Sequence, residues 1–177
     1  MKQFTMDAVS APQLDAVDLR LLSLLQDDAS VSNQALAERA HLSAATCHRR
    51  VQRLQQLGVI EKRVAILSPD KLAAVTGWGL SALVEITLDV QTAEALDRFE
   101  TKAVQDPGVQ QCWRVSPGPD FVLVVQVADM PAYQDLARRL FTEDSLVRNV
   151  RAFFAVKRAK FGTALPLPTT EHKATPA

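Results

Sequence analysis

The hydrophobic period changes once along this chain, and that change limits the fold more than any other feature. Between Leu14 and Leu57 the apolar residues recur at helical spacing. From Leu80 onward they alternate instead: Leu80, Ala82, Val84, Ile86 and Leu88 occupy every second position, as on a strand. Between the two patterns lies "SPDKLAAVTGWG", residues 68–79, whose Pro and Gly read as a linker. A chain of 177 residues is long enough for two small domains, each with its own core.

The first part reads as three helices. Asp15 and Asp18 in "LDAVD" stand where a helix start favours carboxylates. After the polar break "QDDAS", Ser32 can cap a second helix with Leu36, Ala37 and Ala40 inward. "HLS" is a tight connection, and Ser43 can cap a third helix with Cys47, Val51 and Leu54 on one side, ended by Gly58. "VIEKRVAIL", residues 59–67, reads as extended. The expected order is a flexible arm (1–13), a helical domain (14–67), the linker (68–79), a second domain (80–167) and a disordered tail (168–177).

In the second domain a strand at 80–88 precedes a helix carrying Leu96, Phe99 and Ala103. Strands at 109–116 and 121–127 follow, then a helix with Tyr133, Leu136, Ala137 and Leu140, and a long strand near 147–158. The order β-α-β-β-α-β is the ferredoxin-like arrangement, so the fold class is α+β. Two helices can cover only one face of a four-stranded sheet. The other face offers Leu83, Val122, Val124, Phe153 and Ala155, where a solvated face would be polar. An uncovered apolar face of that size marks an interface, and a homodimer through this domain is expected.

Composition excludes several classes. With 47% hydrophobic and 23% charged residues the chain is not of disordered composition. No apolar run approaches the ~18 residues of a membrane span, and "MKQFTMDAVSAPQ" lacks the core of a secretory signal, so no membrane partner and a cytoplasmic location are expected. Cys47 and Cys112 are too few and too far apart for a disulfide framework. Cys47 and His48 are adjacent on a helix and point ~100° apart, which argues against a shared metal. His41, Cys112 and His172 form no ligand spacing either. Neither a metal nor a cofactor is expected.

The zero net charge conceals a local imbalance. Between Arg39 and Arg63 the single acid is Glu61, against Arg39, Arg49, Arg50, Arg53, Lys62 and Arg63. Two helices joined by a short turn, the second with a basic exposed side, form a helix-turn-helix, and double-stranded DNA is the partner it suits. Ala45, Thr46, His48 and Arg49, near the third helix's start, can approach base edges in the major groove. Ser32, Ser43, Arg53, Lys62 and Arg63 are placed to hold phosphates. Arg50, nearer the buried stripe, reads as structural.

These features together resemble the Lrp/AsnC, or feast/famine, family of transcription regulators. The matching pieces are "LDAVDLRLLSLLQDDASVSNQALAERAHLS", "RRVQRLQQLGVI", "QCWRVS", "PDFVLVVQVADMPAY" and "TALPL", in order over residues 14–167. The resemblance implies a winged helix-turn-helix followed by a ligand-sensing βαββαβ domain. It also implies dimers that assemble further, often into octamers, and an amino acid or related metabolite as effector. The family's effector loop carries a run like "GDxDY". Here the loop is "SPGPDF", in which Ser116, Gly118 and Asp120 stand at the loop positions. Arg114, Met130 and Phe153 match positions near the cleft. Asp120 would accept from an ammonium, or else serve as a turn residue. Trp113 is expected to pack in the sheet.

Two rivals share the architecture. Decarboxylases of haem-type pathways look similar, but would be expected to use His in the second domain, and none occurs between 49 and 171. No acid–base or nucleophile constellation is visible, and no enzyme is expected. An architectural DNA-packing protein is the other, using Arg148, Arg151, Lys157, Arg158 and Lys160.

Overall fold

The computed structural model describes residues 13–77, 79–142 and 146–168; the expected arm and tail lie outside them, apart from Gln13 and Pro168. Contacts divide the chain into two compact units, one of residues 1–65 with 161–177 and one of residues 66–160.

The first unit is built of α1 (Ala16–Asp27), α2 (Asn33–Ala40) and α3 (Ala44–Gln56). The second and third start where their serine caps predict, and the first starts at the acidic pair. Asp15 caps α1 and forms a reciprocal capping box with Asp18, while Ser32 and Ser43 accept from the N–H groups of Ala35 and Thr46. The turn between α2 and α3 depends on His41 in the left-handed conformation at φ 57°. Leu21, Leu36, Ala37, Ala40, Cys47 and Val51 form the core. Asn33 Nδ2 donates to the carbonyl of Ala44 (2.9 Å) and Arg20 to that of Arg39 (2.9 Å), which tie α2 to its neighbours.

Two expectations in this unit change. Residues 59–67, read as extended, join no strand among the described residues, and Val64, Ile66 and Leu67 stay exposed. The segment 161–167, assigned to the second domain from sequence, groups by its contacts with the first unit. Gln26 donates to the Leu165 carbonyl (3.2 Å) and accepts from its N–H (2.7 Å).

The second unit opens with α4 (Pro69–Thr76), a helix where a linker was expected. Ser68 caps it, Pro69 enters at its first turn and Gly77 ends it at φ 73°, so the Pro and Gly punctuate a helix instead of preventing one. There follow β1 (Leu80–Leu88), α5 (Ala93–Gln105), β2 (Val109–Arg114), β3 (Phe121–Val127), α6 (Met130–Ala137), a π-helical turn (Arg138–Thr142) and β4 (Val147–Phe154). β4 ends four residues before the strand read from sequence. The antiparallel sheet has the order β2-β3-β1-β4.

Alternation along the strands sends Ala82, Val84, Ile86, Leu88, Phe121, Leu123 and Val125 under the helices, against Phe99, Ala103, Tyr133 and Leu136. Gly108 closes this core at the start of β2. A Cβ there would stand 2.6 Å from Leu136 Cδ1 and 3.1 Å from Val127 Cγ1. Leu136 is fully buried and cannot yield. Gly108→Ala is therefore expected to destabilise this unit by about 1–3 kcal/mol, read as a lowered thermal midpoint. An unchanged midpoint would show that the helix shifts freely.

Candidate nucleic-acid interface and effector region

The buried direction of α3 is set by Cys47, Val51 and Leu54. Burial pushes the Cys47 thiol up, so it stays protonated among its apolar neighbours, consistent with a core role. Each step along a helix turns about 100°, which sorts the other side chains into two flanks and a ridge.

One flank faces α1. Arg50 Nη1 donates to Asp15 (2.7 Å) and Asp18 (2.9 Å). Arg53 donates to the second oxygen of Asp18 (3.0 Å) and to the Gln13 carbonyl (3.1 Å). Asp18 is 1% exposed, yet each of its carboxylate oxygens meets an arginine. The Asp18 N–H and then Arg50 hold the Asp15 carboxyl below the ordinary carboxylate value, and Asp15 and Asp18 raise the guanidinium of Arg50. The structural reading of Arg50 agrees with these contacts. Arg53, by contrast, was expected to hold a phosphate and is committed to α1. Sequence could have pointed here: two acids at one helix start match two arginines three residues apart.

On the opposite flank a cleft of about 170 Å³ is lined by Val31, Asn33, Leu36, His48, Gln52 and Arg63 among others. Ala45, Arg49, Gln52 and Gln56 form the outward ridge, all exposed. Among the described residues, Arg49, Lys62 and Arg63 have no ion-pair or hydrogen-bond partner. Thr46 Oγ1 accepts from the Ser43 hydroxyl (2.9 Å), and Ser32 Oγ accepts from the Ala35 N–H (3.2 Å). Both serines thus serve the helix starts first.

The second unit separates its candidate residues between the two sides of the sheet. Arg114 lies on the helix side, where it donates to Asp97 (2.7 Å) and Glu100 (2.7 Å) on α5 and sits 5.6 Å from the Phe121 ring centre. Asp120 is 9% exposed; its carboxylate accepts from the Leu88 N–H (2.7 Å), while its backbone N–H donates to the Ile86 carbonyl (2.8 Å). It fastens the loop to β1, bonding a neighbouring strand where the sequence suggested either a ligand or its own turn. Ser116 and Gly118 belong to the loop between β2 and β3, with Gly118 at φ 128°, a conformation that favours glycine. Met130 begins α6 and is exposed.

Phe153 points to the open side of the sheet, opposite Leu83, and each is 47% exposed. Arg151 lies 5.4 Å over the Phe153 ring and pairs with Glu85 (3.3 Å). Trp113 was expected to pack in the sheet. It is 57% exposed on this same side, its indole N–H held by Gln111 (3.0 Å), because its register opposite Val122 turns it away from the helices. Cys112, on the helix side, has its thiol raised first by burial and then by Glu100. Among the described residues no group of His, Cys, Asp and Glu could hold a metal, and no helix is long and apolar enough to cross a membrane.

Comparison with known proteins matches this division. Residues 14–61 match a family described as winged helix-turn-helix DNA-binding, and residues 81–165 match the Lrp/AsnC ligand binding domain. The DNA-binding transcriptional activator DecR of Escherichia coli K12 is 37% identical over 154 residues, covering 87% of this chain and 99% of that protein. The glutamate uptake regulatory protein of Zymomonas mobilis is 35% identical, covering 92% and 96%. Among solved structures, an AsnC family transcriptional regulator from Agrobacterium tumefaciens superposes with a TM-score of 0.77 at 32% identity, covering 86% and 97%. A transcriptional regulator from Neisseria meningitidis, solved in complex with L-Met, gives a TM-score of 0.76 at 27% identity, covering 87% and 97%. The α+β fold, the helix-turn-helix and the order of the two domains along the chain follow this group, and the chain belongs to the Lrp/AsnC family of DNA-binding transcription regulators.

Proposed function

We propose that this regulator reads a two-fold-related operator with α3 and responds to an amino acid or a closely related metabolite in the cytoplasm. The observation that carries the reading is Arg49. Of the three arginines on α3 it alone stands on the outward ridge without a partner among the described residues, while Arg50 and Arg53 are tied to α1. A free guanidinium at the centre of the helix suits the O6 and N7 acceptors of guanine. Ala45, Thr46 and His48 approach neighbouring bases, and Ser32, Ser43, Lys62 and Arg63 hold phosphates that set the register.

The open sheet face pairs with a second copy. Leu83, Val122, Val124, Phe153 and Trp113 supply its apolar centre, and pairing to a homodimer removes that surface from water. Dimers then assemble to an octamer. The effector lies where copies meet near the 116–120 loop, with Ser116, Gly118, Met130 and Phe153 in contact with it. Arg114 and Asp120 shape the site through their ties to α5 and β1. The L-Met bound by the Neisseria relative supports an amino acid as the ligand class.

The test is fluorescence anisotropy of the full chain with its gene's own upstream duplex and with a scrambled duplex, at two salt concentrations, with and without each common amino acid. A preference for the upstream duplex that one amino acid shifts is the expected result. Equal affinity for both, with no amino-acid effect, would overturn the reading in favour of an architectural role. Arg49→Ala is expected to weaken operator binding about tenfold or more and to relax preference at one base pair. Lys62→Ala should weaken all duplexes alike and reduce the salt slope by roughly one. Equal loss on operator and scrambled DNA for Arg49→Ala would sink its base-reading role.

A further inference from the structure

We propose that Gln52 is a second base-reading residue, one that specifies an A·T pair within two base pairs of the G·C pair read by Arg49. The inference rests on the placement of α3 in the major groove proposed above.

The outward ridge of α3 carries Ala45, Arg49, Gln52 and Gln56. Ala45 offers only a methyl group, and Gln56 is the last helical residue, a full turn beyond Gln52. On the flank toward α1, Arg50 and Arg53 are drawn to Asp15 and Asp18, and on the other flank His48 lines the same cleft as Gln52 but stands further from the centre of the ridge. Arg49 and Gln52 therefore remain as the central polar pair. Among the described residues neither has a hydrogen-bond partner.

Their chemistry is complementary. The Gln52 amide carries a donor and an acceptor side by side, which matches the N6 donor and N7 acceptor of adenine. Guanine presents two acceptors, which suit a guanidinium and leave the amide oxygen of a glutamine facing a lone pair. Gln52 also lines the cleft, together with Val31 and Val51. Three residues along a helix advance roughly 4.5 Å. A base pair advances about 3.4 Å. The two side chains consequently reach bases one or two steps apart, and each half-site carries a G and an A in that spacing.

The experiment selects duplexes from a library with a randomised core on the full-length protein. It then measures anisotropy of wild type, Gln52→Ala and Gln52→Glu on the selected site and its single-base variants. The selected half-site is expected to hold an A·T pair within two base pairs of a G·C pair. Gln52→Ala should lose about tenfold on that site and all discrimination at the A·T pair, while discrimination at the G·C pair persists. Gln52→Glu should shift the preference at the same pair toward C·G, because a carboxylate accepts from cytosine N4. Gln52 is exposed, so both variants keep the fold. Uniform loss across all duplexes, or relaxation more than two pairs from the guanine, overturns the proposal while the DNA-reading function stands. Selection of no consensus at all by the wild type overturns both.

Discussion

Asp18→Asn is expected to destabilise the amino-terminal unit by about 3 kcal/mol, the cost of breaking a buried ion pair from one side. The carboxylate has almost no exposure, and it receives Arg50 at 2.9 Å and Arg53 at 3.0 Å. An amide in its place has the right shape but no charge, and its N–H₂ turns a second donor toward guanidinium groups that are donors already. Asp15→Asn is the control. Asp15 is half exposed, and asparagine caps a helix as well as aspartate does, so the loss there stays below about 1 kcal/mol. Asp15 also gives the pair a pH dependence. Its carboxyl titrates below the ordinary value in the folded chain, so its contribution is complete at neutral pH and is lost as the pH falls through that lowered value.

The measurement can be confined to the right unit. Both tryptophans, Trp78 and Trp113, fall within residues 66–160, so fluorescence follows the second unit while helical circular dichroism follows both. In Asp18→Asn part of the dichroism transition should move to lower denaturant while fluorescence holds its midpoint. If both probes keep their wild-type midpoints, the buried carboxylate does not stabilise the unit. Operator affinity should fall too, since Arg50 and Arg53 set how α3 is held against α1.

Leu83→Asp is expected to convert the assembly to monomers, weakening self-association roughly a thousandfold or more. In a single chain Leu83 is half exposed on a central strand, with Val124 beside it on β3 and Phe153 beside it on β4. The substitution leaves the helix-side core untouched and costs the isolated fold only the modest preference of a strand against Asp. In a two-fold pair the same position occurs twice, and each carboxylate would lose its water. Aspartate is more informative than glutamate, because Arg151 lies on the same face and would pair with a longer carboxylate, as it does with Glu85. Sedimentation equilibrium reads the result directly. A variant that sediments as the wild type does would place the interface elsewhere.

Both predictions show how differently the two kinds of information enter. The helix starts at Asp15, Ser32 and Ser43, the alternation of β1 and β3, the βαββαβ order and the apolar open face are all legible from sequence. Caps act within three residues, strand alternation repeats every two, and a helix repeats every 3.6, so each signal lies within a few positions of what it specifies. Tertiary structure decided the rest. Arg49, Arg50 and Arg53 look alike in "CHRRVQRL", yet which of them is free depends on acids 32 and 35 positions away. Asp120 reads as a candidate ligand until the Leu88 N–H, 32 residues earlier, is seen to take its carboxylate. Trp113 reads as a packed aromatic until its register opposite Val122 turns it outward. Leu165 groups with the first unit, where Gln26, 139 positions away, binds its backbone. Local pattern therefore determined the elements and their faces. The partners of the charged groups were settled by packing, because the Coulomb and hydrogen-bond energies that commit an arginine depend on distance in space and not along the chain.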